Sequence, residues 1–233
     1  MPKEKILRDH HQIVAYSEKD WALLKKKRNS AIKLLEMFVN ESLNPFTYGS
    51  VARGDVHEYS DIDIIFPQQI PTFQIEFILN KNGYERYFRE IIMATPKDSI
   101  KLYIHLSELE SITIPLSKPN KNVMEFYDFA GKTNLKQLKS DIRVPGIDKR
   151  LVFIKPNSNG HEELSIINNE SIVAKGVRIS IETINERKKV LLRREKYGRT
   201  GVFVKRPLEI NESTEEVLKK LANEKSVIRK KLY

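Results

Sequence analysis

Cysteine is absent from all 233 residues, and that absence removes disulfide staples, thiolate zinc sites and cysteine nucleophiles together. It suits a reducing interior. Histidine is scarce too, five in all, and His10 and His11 are neighbours that would project to opposite faces of a strand. A histidine-based metal site is therefore not expected. No stretch approaches the ~18 consecutive apolar residues that a membrane helix needs, and the opening Met1-Pro2-Lys3-Glu4-Lys5 lacks the apolar run of a signal peptide. A soluble, cytoplasmic protein with no membrane partner is expected.

Charge is plentiful and unevenly placed. Lys and Arg total 41 against 31 Asp and Glu, a net of +10. Residues 1–140 hold 20 basic and 18 acidic residues, and residues 141–233 hold 21 and 13, so most of the excess is C-terminal. Lys175 to Arg206 alone carries 11 basic residues against 3 acidic ones. A patch this unbalanced suits a polyanion.

The chemistry is concentrated in residues 48–66, Tyr-Gly-Ser-Val-Ala-Arg-Gly-Asp-Val-His-Glu-Tyr-Ser-Asp-Ile-Asp-Ile-Ile-Phe. Residues two apart on a strand share a face, so Asp61 and Asp63 present two carboxylates side by side while Ile62 and Ile64 face a core. Paired carboxylates are hard oxygen ligands that suit Mg²⁺ or Mn²⁺ shared with substrate phosphates. Gly49 lets backbone amides approach an anion closely, Ser50 adds a hydroxyl, and a helix from Val51 would point its positive end at the phosphates. Arg53 is a candidate phosphate ligand or a surface arginine. Asp55 and His57 belong to the connecting turn.

Gly49-Ser50, Arg53-Gly54 and Ser60-Asp61-Ile62-Asp63 resemble the signature of the DNA polymerase beta-like nucleotidyltransferase superfamily. The resemblance covers about twenty residues. It implies that Gly49 and Ser50 contact the β and γ phosphates of an NTP, that Asp61 and Asp63 bind the metals, and that a third carboxylate on a later strand completes the site. The best later strand runs from Ser99 to Leu106, where Lys101, Tyr103 and His105 alternate with Ile100, Leu102, Ile104 and Leu106, so its polar face carries no acid. Glu108, just past it, and Glu90, in the preceding strand-like stretch Tyr84 to Ala94, are the candidates.

The rest of the first part reads as mixed α and β. Ser17-Glu18-Lys19-Asp20 is a capping start, and Trp21, Leu24, Ile32, Leu35 and Phe38 carry a helix to about Asn40. Its run Lys25 to Arg28 reads as a solvated face. Strands are expected at 46–48, 61–66, 84–94, 99–106 and 112–116, and a helix at 73–80. Residues 117–160 read as a connecting region around a short strand, 150–155.

From Glu170 onward the chain looks like a winged helix-turn-helix: a helix over 170–177, a turn at Arg178 to Ser180, a second helix over 182–197, and a wing at 199–206. Ile184 and Leu191, with Val177 and Ile179, supply the apolar stripe. Lys188, Lys189, Arg193, Arg194, Lys196 and Arg199 supply the cations that would meet nucleic acid. The tail, 214–233, reads as one more helix. The expected architecture is thus α+β: a nucleotidyltransferase-like small mixed sheet with packed helices over 1–145, then a mostly helical, basic winged-helix-like domain over 146–233. The expected function is metal-dependent transfer of an NMP from an NTP to an unidentified acceptor. The alternative is a catalytically degenerate DNA- or RNA-binding or regulatory protein.

Overall fold

The computed structural model describes residues 5–85 and 87–233, and it laces two sheets together with the two ends of the chain. In chain order the elements are β1 (His11–Ala15), α1 (Glu18–Val39), β2 (Phe46–Tyr48), α2 (Ser50–Arg53), β3 (Ile62–Ile65), α3 (Thr72–Lys81), β4 (Phe88–Met93), β5 (Lys101–His105) and β6 (Glu110–Pro115). There follow α4 (Lys121–Ala130), β7 (Lys132–Thr133), α5 (Leu135–Lys139), β8 (Gly146–Ile147), β9 (Val152–Asn157), β10 (Gly160–Ser165), α6 (Glu170–Val177), α7 (Ile181–Tyr197), β11 (Val204–Leu208), α8 (Thr214–Glu224) and α9 (Ser226–Leu232).

The large sheet has the order β11-β4-β5-β6-β3-β2-β7, with β3 and β6 parallel and the other pairs antiparallel. Alternation decides its two faces. Ile62, Ile64, Ile91, Met93, Leu102, Ile104, Ile112 and Ile114 form the back, buried in one core with Leu34, Leu35 and Phe38 of α1 and with Ile75, Ile78 and Leu79 of α3. Helix α1 starts where the sequence places it, because Ser17 and Asp20 close a reciprocal capping box. The front face is polar, and α4 covers part of it through Val123 and Tyr127 packed on Ile65.

The small sheet, β1-β10-β9-β8, is antiparallel throughout. Phe153 of β9 shares a second core with Val173, Ala174 and Val177 of α6 and Ile184 and Leu191 of α7. Gly146 lets β8 lie against the end of α4, since a side chain there would meet the Ala130 carbonyl oxygen at 2.5 Å. That contact seats the small sheet beside α2.

Several elements depart from the sequence reading. Residues 117–160 hold α4, β7, α5 and β8 as well as β9, because helices of ten and five residues span too few turns to establish a helical period. The stretch expected as a wing becomes β11, which pairs with β4 and buries Val204 and Leu208 in the large core. The tail breaks at Lys225, whose backbone is extended, into α8 and α9. The N-terminal β1 belongs to the small sheet and the C-terminal β11 to the large one, so both sheets draw strands from either side of residues 145 and 146. The expected strand 84–94 is described as β4 from Phe88, and its Arg86 lies outside the described residues. Among the described residues no helix is long and apolar enough to cross a membrane.

Candidate active site

The site is built on one row of residues across the front of the large sheet. Strand register places Phe88, His105, Ser111, Asp63, Tyr48 and Lys132 side by side on β4, β5, β6, β3, β2 and β7. Directly opposed residues share a face, so all six side chains leave the same side.

The Gly-Ser turn sits at the end of β2. Gly49 has φ +85°, a conformation glycine adopts without penalty, and its N–H donates to the Gly131 carbonyl at 2.9 Å. Ser50 begins α2, and its hydroxyl has no protein partner among the described residues. Arg28 of α1 holds α2 from behind: it is buried and donates to the carbonyls of Val51, Ala52 and Ile142. Only Lys25 and Lys26 of the basic run are solvated, for Lys27 donates to the Ser60 carbonyl at 2.7 Å. Burial lowers the Arg28 guanidinium to about 10.

Arg53 is committed elsewhere. Its Nε and Nη2 form a fork on Asp55 at 3.0 and 2.8 Å, and Nη1 donates to the Ala130 carbonyl at 2.7 Å. It braces the segment between α2 and α4.

Asp61 is exposed at the start of β3, and Asp63 is partly covered beside it. Ser111 Oγ donates to Asp63 Oδ1 at 2.6 Å. Burial raises the Asp63 carboxyl above its usual range, against the Ser111 hydrogen bond and with help from the Asp61 charge. Lys149, in the β8–β9 turn of the small sheet, and His105 act in the opposite direction. Tyr48 and Tyr103 line the same face, their hydroxyl pKa values raised by burial and by the Asp63 charge, Tyr103 to about 12.

The third acid is where the sequence reading and the structure part. The strands hydrogen-bonded to β3 are β2 and β6, not β5, and the β6 residue beside Asp63 is Ser111. Glu90 lies on the same face but three strands from β3, about 14 Å away at the usual strand spacing, and it pairs with His105 and Lys205. Glu108 lies exposed in the turn between β5 and β6. Among the described residues no group of three or more His, Asp or Glu side chains could hold a metal ion. Ser111 was legible only through register, because a serine at the start of Ser111-Ile112-Thr113 has no chemical signature.

On the basic helix, the structure separates the expected cations. Lys189, Arg193, Arg194 and Lys196 are exposed along α7, with Arg199 just beyond it, whereas Lys188 turns inward to Glu170 at 2.5 Å. The Arg187 guanidinium sits over Phe126, 4.6 Å from the ring centroid, and joins α7 to α4. A groove of about 510 Å³ lies behind the aspartates, lined by Lys26, Lys27, Glu58, Ile62 and Glu110; it opens on the α1 side, away from the row that holds Asp63.

A Gly-Ser turn at positive φ thus ends β2, beside the antiparallel strand that carries Asp63 and is preceded by Asp61. Residues 33–193, more than half of the chain, match the nucleotidyltransferase domain family. The chain belongs to that family. No curated protein and no solved structure matches it. Membership accounts for the mixed sheet and for the Gly-Ser and Asp-x-Asp elements at neighbouring strand ends. In this nucleotidyltransferase domain, Ser111 occupies the position beside Asp63.

Proposed function

We propose that the protein transfers a nucleoside monophosphate from an NTP to an acceptor hydroxyl. The observation that carries the reading is the pairing of β2 with β3, which sets Tyr48 opposite Asp63 and so brings the Gly49-Ser50 turn to the mouth of the Asp61–Asp63 pair. Gly49 and Ser50 would hold the β and γ phosphates. The donor set fits a divalent cation: Asp61 and Asp63 are hard oxygen ligands, and the buried Asp63 charge lacks full compensation within the protein. A bound Mg²⁺ or Mn²⁺ would polarise the phosphates and offset the charge that develops on the leaving pyrophosphate. With two carboxylates and one hydroxyl in place, one ion shared with the substrate fits better than two held by the protein.

The exposed stripe of Lys189, Arg193 and Lys196 on α7 supports a nucleic acid as the acceptor, since phosphates would gather there by counterion release. The test is a binding and labelling pair. Wild type should bind ATP with Mg²⁺ and label an oligonucleotide from [α-³²P]ATP, Asp61→Ala/Asp63→Ala should lose both, and Lys189→Glu/Arg193→Glu should weaken oligonucleotide binding and flatten its salt dependence. Equal nucleotide binding by wild type and the aspartate variant would refute the site. A second reading, a regulatory protein that binds a nucleotide without transferring it, is favoured by Ser111 standing beside Asp63; tight ATP binding without labelling is its signature.

A further inference from the structure

The row that holds Asp63 also holds a histidine, His105, whose ring is oriented by its neighbours. His105 lies two strands from Asp63 on the same face, about 10 Å at the usual strand spacing, with Ser111 between them. Ser111 is small, its hydroxyl donates to Asp63, and strand register sets it between the carboxylate and the imidazole. His105 Nε2 is 3.2 Å from Glu90 Oε1, and Glu90 is itself 5 % exposed, a costly burial for a carboxylate without a purpose. Lys205 Nζ sits 3.1 Å from Glu90 Oε2 without hydrogen-bond geometry, so that contact is an ion pair. The ring is held on two further sides, with Tyr103 stacked at 14° and Phe88 5.8 Å away between centroids. Nδ1 has no protein partner among the described residues. The charged groups around the ring are Glu90 on β4, Lys205 on β11 and, across Ser111, Asp63 on β3, with Lys149 near Asp63.

We propose that His105, oriented by Glu90, is the general base that deprotonates the acceptor hydroxyl in place of a third carboxylate. The assignment rests on the nucleotidyltransferase reading. An acceptor hydroxyl seated over Ser111 gives its proton to Nδ1 as its oxygen forms the new bond to the α phosphorus. The bond from that phosphorus to the β-bridging oxygen breaks, and pyrophosphate leaves with the electron pair. Glu90 accepts the Nε2 hydrogen bond and stabilises the imidazolium until it loses its proton to water. Glu90 is thus a positioning residue and His105 the catalytic one.

The test measures pyrophosphate release from Mg²⁺-ATP with an oligonucleotide bearing a free 3′-hydroxyl, across pH, beside ATP affinity from a fluorescent analogue. His105→Gln should slow release by about 10²-fold or more, the usual scale for a lost general base, with ATP affinity within about twofold of wild type. The fall in rate on the acid side of the wild-type profile should vanish in His105→Gln and move in Glu90→Gln. A readout independent of turnover is diethyl pyrocarbonate modification, followed by peptide mass spectrometry: ATP with the oligonucleotide should slow carbethoxylation of His105 several-fold. An active wild type whose rate and pH profile are matched by His105→Gln overturns the base and leaves the transferase reading standing. A wild type that fails to bind ATP, or binds it and releases no pyrophosphate, overturns both.

Discussion

Lys101 is held near the loss of its proton on the same strand that carries His105. Burial lowers its ammonium to about 8, Asp98 opposes the shift and Arg187 adds to it, and its nearest partner is the Tyr127 hydroxyl at 3.2 Å. The folded protein binds this proton less tightly than the unfolded chain, so the group costs stability at neutral pH and the cost fades as pH rises from about 8 towards 10. Lys101→Met should therefore stabilise the protein at pH 7, by ~3 kcal/mol at most on the ~1.4 kcal/mol per unit scale, and the difference from wild type should shrink between pH 8 and 10. Urea denaturation of both proteins at pH 7, 8, 9 and 10 checks it; a difference that holds constant over that range would show that Lys101 is not desolvated. At the same scale, spacing along the sequence singled out Asp61, Asp63, Gly49 and Ser50 as candidates, and the pairing of β2 with β3 brings them to neighbouring strand ends. Spacing gave no hint of the partners of Arg53 and Lys188, Asp55 and Glu170, which are set by chain geometry rather than by residue type.

Among the elements, α2 matters most and is the least able to stand alone. Four residues cannot form a helix in water, where the first turn fixes several dihedrals for a single hydrogen bond. Arg28 supplies the missing support by donating to the carbonyls at its end. Arg28→Met would leave the Val51 carbonyl unpaired, while the Ala52 carbonyl keeps the Val144 N–H at 3.2 Å, so a loss of about 2 kcal/mol is expected, with a Tm lowered by about 4–8 °C. ATP binding should weaken as well, because the turn that would hold its phosphates loses its brace. Thermal melts with and without Mg²⁺-ATP measure both effects, and an unchanged Tm would remove Arg28 from this role. The long elements were legible in the sequence for the complementary reason. The capping box and apolar spacing of α1, and the alternation of β5, are local patterns that match the tertiary outcome.

Across the whole molecule, the last thirty residues complete a domain begun by the first hundred. Strand β11 closes the edge of the large sheet, and Val217, Leu221, Ala222 and Ile228 of α8 and α9 lie in its core. A fragment ending at residue 145 would expose that face and the flank of β4. It should be insoluble or loosely packed, with strong binding of a hydrophobic dye and no cooperative melt, whereas the full chain should melt cooperatively. A soluble, cooperatively folding 1–145 fragment would contradict this. The expected boundary failed to anticipate the arrangement because no local pattern records which distant strand an edge will accept.

Sequence by itself determined the chemical class of this protein. The Gly-Ser turn and the Asp-x-Asp pair need only local backbone conformation, a positive φ and a strand's two-residue period, and both are written in neighbouring residues. Tertiary structure alone decided what stands beside Asp63. Strand order and register are long-range properties, set by which apolar faces can be buried together, and they put Ser111 next to the carboxylate and His105 one strand further, where spacing along the chain shows nothing.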